Sequence, residues 1–292
     1  GVILQEIAMT NDTPDDIIFD HFQETAYPSQ SFGRSILGPK SNIKKFKADD
    51  FRDYIGKQYN YADIAVVAAG NITQKDLVGW SEKYFNNLAS GKQKSFEESK
   101  YVGGEFRKNK NLEQVNLVLG FKGTSYLDKN YHKSQILSMI LGGGMSSRLF
   151  QHVREELGLA YSIYSFNQGS RDSGIFSIYA GTTPDKVPSL IDATNIEIKK
   201  LCEKVNDKEL NRVKTQFEAS LLMAKESTST RMQKLGNDIL NKNRIISSEE
   251  IIEKINSVRK SDIVNIADDI FTNSKPTLAM IGKVKDIEFK YA

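Results

Sequence analysis

The 292 residues carry 40 Lys and Arg against 37 Asp and Glu, for a net charge of +3, and these charges are spread along the chain; no basic block marks a nucleic-acid partner. With 39% hydrophobic and 10% aromatic residues and six prolines, the chain can bury enough apolar area to offset its ordering entropy, and its length suggests two domains. The single cysteine, Cys202, excludes an internal disulfide and a CxxC pair, and no apolar stretch approaches the roughly 20 residues that span a bilayer.

The chain opens on Gly1-Val-Ile without a Met or a signal-peptide pattern and reads as the entry into an element already under way. Val2, Ile3 and Ile7, then Ile17, Ile18, Phe22 and Ala26 after Pro14, predict two helices within the first 27 residues. Tyr27 to Lys40, with two Pro and two Gly, reads as an ordered loop. Lys47 to Tyr59 predicts an amphipathic helix through Phe51, Tyr54 and Ile55. Asp63 to Gly70 predicts a short buried strand, and Thr73 to Leu88 a helix capped by Thr73.

Polar, aperiodic residues 89–100 mark the linker, which we place at 91–102 between a first domain at 1–90 and a second at 103–292. Beyond it come strands at Glu105–Lys108 and Val115–Phe121, and a helix from about Lys129 to Leu141. A glycine turn and a helix from Ser146 to Leu157 follow, and then a hairpin pairing Tyr161–Phe166 with Gly174–Ala180. Helices dominate from Pro184 to Phe271, with breaks at Asn206-Asp207 and Ser227–Thr230, before a last strand at Pro276–Ile281. The fold class is α+β. Ile64–Gly70 matches Thr277–Gly282 in a weak internal repeat of helices, a late strand and a closing helix.

Chemistry is hard to find from composition. The three histidines, His21, His132 and His152, share no ligand spacing, and neither HExxH nor HxxEH occurs. Each reads as a surface or packing residue. Gly142-Gly-Gly144-Met-Ser-Ser-Arg148 lacks the Walker Lys-Ser/Thr ending and follows a helix, so it reads as a tight turn with Ser146 or Ser147 as N-cap and not as a phosphate cradle. No GxSxG elbow exists, and Cys202 has no nearby His. Glu6, Arg154 and Tyr161 are by composition a helix-face acid, a surface base and a strand-opening phenol. The order helix, Gly158, strand nonetheless brings a guanidinium and a phenol, both hydrogen-bond donors, toward one edge.

A resemblance adds to this. Gly1-Val-Ile-Leu-Gln-Glu-Ile7, Asp12-Thr-Pro-Asp-Asp16, Phe19-Asp-His-Phe22 and Gly33-Arg-Ser-Ile-Leu-Gly-Pro39 are similar to the middle of the catalytic subunit of mitochondrial processing peptidases. Leu141-Gly-Gly-Gly-Met-Ser-Ser-Arg-Leu-Phe150 and Arg154-Glu-Glu-Leu-Gly-Leu-Ala-Tyr161-Ser resemble the second-domain signature of the same group. Over essentially its whole length the chain resembles the pitrilysin-type zinc metallopeptidases, in their processing-peptidase-like branch. The resemblance implies two related α/β-roll domains, the first incomplete at its N-terminus, in a clamshell that closes around an extended peptide. It implies that Glu6 is the third zinc ligand, and that Arg154 and Tyr161 hold the substrate carbonyl and stabilise the developing oxyanion. The other two ligands and the general base belong to an HxxEH helix expected several dozen residues before Glu6, which this sequence does not contain.

This polypeptide alone is therefore expected to be inactive and to bind zinc weakly or not at all. One reading is part of an active zinc endopeptidase; the alternative is a non-catalytic scaffold such as a bc1-complex core-type subunit, or a peptide-binding module. Joint retention of Glu6, Arg154 and Tyr161 favours the enzyme. The expected partners are a peptide or unfolded protein substrate and a second copy or paired homologous subunit, with no nucleic acid and no transmembrane segment. Absence of disulfides fits the bacterial cytoplasm, with the mitochondrial matrix or periplasm as alternatives.

Overall fold

The structure is a computed structural model, and it describes residues 1–88, 90–91, 97–285, 287 and 291. Its helices are α1 (Val2–Asp12), α2 (Pro14–Ala26), α3 (Lys40–Ile43), α4 (Ala48–Gln58), α5 (Gln74–Phe85), α6 (Tyr131–Gly142), α7 (Val187–Glu203), α8 (Asp207–Ala224), α9 (Thr228–Lys242), α10 (Ser248–Ser257) and α11 (Lys260–Thr272). The strands are β1 (Gly104–Asn109), β2 (Val115–Lys122), β3 (Ser162–Gly169), β4 (Gly174–Thr182) and β5 (Thr277–Gly282). Contacts group the chain into two interleaved units: Gly1–Lys40 with Glu98–Lys214 and Ile255–Ala292, and Ser41–Glu97 with Thr215–Lys254.

The first unit is built on one mixed sheet in the order β1-β5-β2-β4-β3. The β1–β5 pair is parallel; β5–β2, β2–β4 and the β4–β3 hairpin are antiparallel, leaving β1 and β3 at the edges. Helices cover both faces, which explains why β2, β4 and β5 are buried along nearly their whole length and read as continuous apolar runs. On one face the stripe Ile17, Ile18, Phe22 and Ala26 of α2, with Tyr27, packs on Val118, Ile175, Tyr179, Ala279 and Ile281. On the other, Phe271 of α11 meets Phe121 and Phe176 edge-on, with ring centroids 5.0 and 5.3 Å apart. Each large side chain so buried contributes roughly 1.5–3 kcal/mol. The Tyr27 hydroxyl, inside this core, pairs with Ser173 Oγ at 2.6 Å and donates to the Gly174 carbonyl at 3.1 Å.

The first forty residues belong to the same compact unit as the sheet. Of the linker expected at 91–102, residues 92–96 lie outside the described residues.

In the second unit α5 starts as its sequence predicts, Thr73 Oγ1 accepting the Asp76 N–H at 3.2 Å. Ser227 caps α9 in the same way, and Asn243 ends it in the left-handed conformation. The buried Asp238 carboxylate accepts the Ile246 N–H at 3.0 Å and pairs with Lys234, stapling the end of α9 to the following loop.

The strand expected at Asp63–Gly70 does not form. A strand needs a neighbour to complete its ladder, and among the described residues this run has none; Thr277–Gly282, its counterpart in the repeat, is a true strand between β1 and β2. Ile64 and Val66 instead line a cavity of about 400 Å³ with Tyr61, Phe85 and Leu88. α4 forms where its periodicity places it, but Phe51, Tyr54 and Ile55 remain 51–59% exposed, with only local ring contacts to show for the stripe among the described residues, Phe46 on Phe51 at 5.5 Å and Tyr59 on Tyr54 at 6.4 Å. The helix closing the second half would fall after Gly282, where residues 286, 288–290 and 292 lie outside the described residues.

Candidate functional site

Arg154 and Tyr161 flank the entry to the edge strand β3. The segment before it was expected to be an ordinary helix, but it winds as a π-helix over Leu149–Glu156. The Leu157 N–H bonds to the carbonyl five residues back, at His152, at 3.0 Å. Such windings are uncommon and recur at functional sites. Neither serine of the preceding turn caps it: Ser147 Oγ donates to the Gly144 carbonyl at 2.6 Å, closing the glycine turn on itself, and Arg148 occupies the cap position.

Arg154 leaves this segment with its side chain 40% exposed, its guanidinium 4.5 Å from the centre of the Phe150 ring and its Nε 3.8 Å from Glu155. The ring and the wide contact to Glu155 steady the cation without consuming its donors. Gly158 then takes a left-handed conformation, φ +59°, and turns the chain toward β3. The Leu159 N–H bonds back to the Val153 carbonyl at 2.9 Å, Thr182 Oγ1 donates to the Leu159 carbonyl at 2.5 Å, and Lys186 Nζ donates to the Gly158 carbonyl at 2.9 Å. Tyr161 follows, its N–H on the Gly181 carbonyl at 2.9 Å and its side chain 60% exposed. A braced loop therefore connects two solvent-accessible donors, although their side chains make no direct contact with each other.

Glu6 lies exposed on α1, beside the buried Ile7, and α1 packs on α2. Among the described residues Glu6 has no hydrogen bond or ion pair, and nothing brings it into contact with Arg154 or Tyr161. The histidines stay apart. His21 stacks on Phe106, ring centroids 4.1 Å apart, and burial together with Lys108 holds its pKa below the ordinary value. His132 Nδ1 pairs with Gln135 at 3.1 Å. His152 Nδ1 lies 2.9 Å from the buried carboxylate of Glu197 on α7, without the alignment of a hydrogen bond. That contact was missed in the sequence, where the two residues show no local pattern.

Among the described residues no group of three His, Cys, Asp or Glu side chains converges as a metal site. A catalytic zinc takes three protein ligands and a structural zinc four, so Glu6 alone does not hold one and no metal step is assigned to these residues.

Residues 45–217 match the family model described as the peptidase M16 inactive domain. A Rickettsia felis protein described as a zinc protease is 42% identical over 282 residues, covering 96% of this chain and 68% of the relative. A Bacillus subtilis zinc protease is 34% identical over 288 residues, covering 97% and 69%. The mitochondrial-processing peptidase subunit beta of Neurospora crassa is 27% identical over 308 residues, covering 100% and 64%.

Two solved structures share the fold. One is a chain of Candida albicans complex III2, with TM-score 0.86 and 17% identity, covering 99% of this chain and 72% of that one. The other is a Helicobacter pylori protease, with TM-score 0.83 and 19% identity, covering 96% and 70%. No helix among the described residues is long and apolar enough to cross a membrane. The chain belongs to the M16 peptidase family, the pitrilysin-type zinc proteases, in its processing-peptidase-like branch.

Proposed function

We propose that this chain is the end of the metal-side domain, at 1–90, and the substrate-side domain, at 103–292, of a zinc metalloendopeptidase that cleaves extended peptides, with Arg154 and Tyr161 as donors to the substrate carbonyl and Glu6 as one ligand of a metal whose other ligands lie outside these residues. The observation that carries the reading is the exposed Arg154 guanidinium, stacked on Phe150 and joined to Tyr161 by a loop fixed at Gly158 and Leu159. Donors held in place before reaction favour the charge that develops on the carbonyl oxygen, because no reorganisation is needed as it forms. Two features prepare the backbone for an extended substrate: β3 is an edge strand, and its outer N–H and C=O groups can take a further strand. By analogy with the relatives, the full enzyme works as a pair of homologous subunits or a homodimer, in the bacterial cytoplasm.

The test is Arg154→Ala and Tyr161→Phe in the complete zinc-loaded protein, each expected to lower kcat for a peptide substrate by about 100-fold or more, as removal of an oxyanion donor does. Unchanged kcat in both would reject the assignment.

A second reading, a non-catalytic scaffold, draws on the fold shared with complex III2. It predicts no cleavage by the complete protein, and peptide binding indifferent to Arg154→Ala.

A further inference from the structure

We propose that Arg148 is a positioning residue that holds Arg154 in place through a two-pronged clamp on Glu209. The inference rests on the reading of Arg154 as a substrate contact. Arg148 sits at the start of the π-helical segment; its Nε donates to Glu209 Oε1 at 2.9 Å and its Nη2 to Oε2 at 3.0 Å. Nη2 also donates to the Lys204 carbonyl at 2.8 Å. Both side chains are largely buried, 13% and 15% exposed, so removing either one leaves the other charge without its partner away from water.

The carboxylate is itself fixed. Glu209 lies in the first turn of α8, where the helix dipole favours an anion; its Oε2 accepts the Asn206 N–H at 3.1 Å, and its own N–H donates to Asn206 Oδ1 at 2.8 Å. Lys only partly replaces Arg here, since an ammonium cannot match the fork of two carboxylate oxygens and reach the carbonyl as well.

The geometry gives the clamp its purpose. Arg154 lies between two anchors, Arg148 before it and the braced loop at Gly158–Leu159 after it. π-Winding is less favourable than α-winding, so it persists where outside contacts hold it. With the first anchor released, the segment can rewind toward the α-helical register and turn Arg154 away from Tyr161. The effect then falls on the carbonyl contact, with the sheet left intact.

The experiment measures binding of fluorescein-labelled, carboxymethylated insulin B chain to this chain by anisotropy, and kcat and KM for its cleavage by the complete protein. The variants are Arg148→Ala, Arg148→Lys, Glu209→Gln, Arg154→Ala and the Arg148→Ala/Arg154→Ala pair. Arg148→Ala and Glu209→Gln are expected to weaken binding about tenfold and to lower kcat more than they raise KM, as loss of a charged contact does. Arg148→Lys recovers part of the loss. Arg148→Ala adds nothing once Arg154 is gone, because it acts through that residue.

Wild-type behaviour of Arg148→Ala and Glu209→Gln beside a defective Arg154→Ala would overturn the inference alone, as would losses that add in the double variant. Wild-type behaviour of Arg154→Ala, or a wild-type protein that neither binds nor cleaves the peptide, would overturn the functional reading beneath it. Where Arg148→Ala unfolds below the assay temperature, Glu209→Gln, which keeps the side-chain shape, carries the test.

Discussion

Phe22 and Gly120 form the contact on which α2 seats against the sheet, and a double-mutant cycle tests it. Phe22 is 3% exposed, and a Cβ added at Gly120 would lie 2.3 Å from its ring tip and 2.9 Å from Ser177 Oγ. Phe22→Ala removes a buried ring and leaves a cavity, costing about 3–5 kcal/mol. At ~2–4 °C per kcal/mol for a unit of this size, the melting temperature should fall by about 6–20 °C. Gly120→Ala forces the ring aside and should cost about 1–3 kcal/mol by overpacking. With the ring already gone, the two closest clashes disappear and Ser177 Oγ at 2.9 Å remains, so the second substitution should cost about 1–2 kcal/mol less in the Phe22→Ala background. Phe51→Ala on α4, at a site 56% exposed, is the control and should change stability by less than about 0.5 kcal/mol. Urea unfolding followed by circular dichroism measures all four. Additive losses at Phe22 and Gly120, or a larger loss at Phe51 than at Phe22, would refute the packing of α2 on this face.

Tyr27→Phe keeps the ring but removes the buried partner of Ser173 Oγ, while the Gly174 carbonyl keeps the Gly123 N–H at 2.8 Å, so it should cost about 1 kcal/mol in the same assay. Burial raises the Glu209 pKa, but the Arg148 and Asn206 hydrogen bonds outweigh it and hold the group below the usual carboxylate value. A carboxyl depressed in the folded state stabilises above its unfolded pKa, and that contribution is lost as pH falls through the folded value. Glu209→Gln should therefore be less stable than wild type at neutral pH, with the gap closing below about pH 4 in parallel urea titrations. A gap that persists in acid would refute this linkage.

The elements legible in the sequence were those whose pattern matched a partner the fold supplies. The stripe Ile17, Ile18, Phe22, Ala26 predicted α2, and the alternation around the Gly169–Gly174 turn predicted the β3–β4 hairpin. Asp63–Gly70 carried the same β-branched signal as Thr277–Gly282, yet only the second has strands beside it, and local propensity cannot show whether a neighbour exists. The π-winding at Leu149–Glu156 was invisible because the periodicity of Leu149 and Val153 also fits an α-helix. Glu6, Arg154 and Tyr161 looked ordinary by composition, and only the resemblance singled them out. The Arg148–Glu209 and His152–Glu197 contacts join residues far apart in sequence, so no local motif announces them.

The central claim is that these residues supply one metal ligand and the substrate donors of a zinc endopeptidase, but not a complete metal site. Zinc content, measured by mass spectrometry on dialysed protein whose intact mass matches these 292 residues, tests it most directly. The account predicts zinc far below one ion per chain. One tightly held zinc per chain would contradict it, since its ligands would then all lie within these 292 residues.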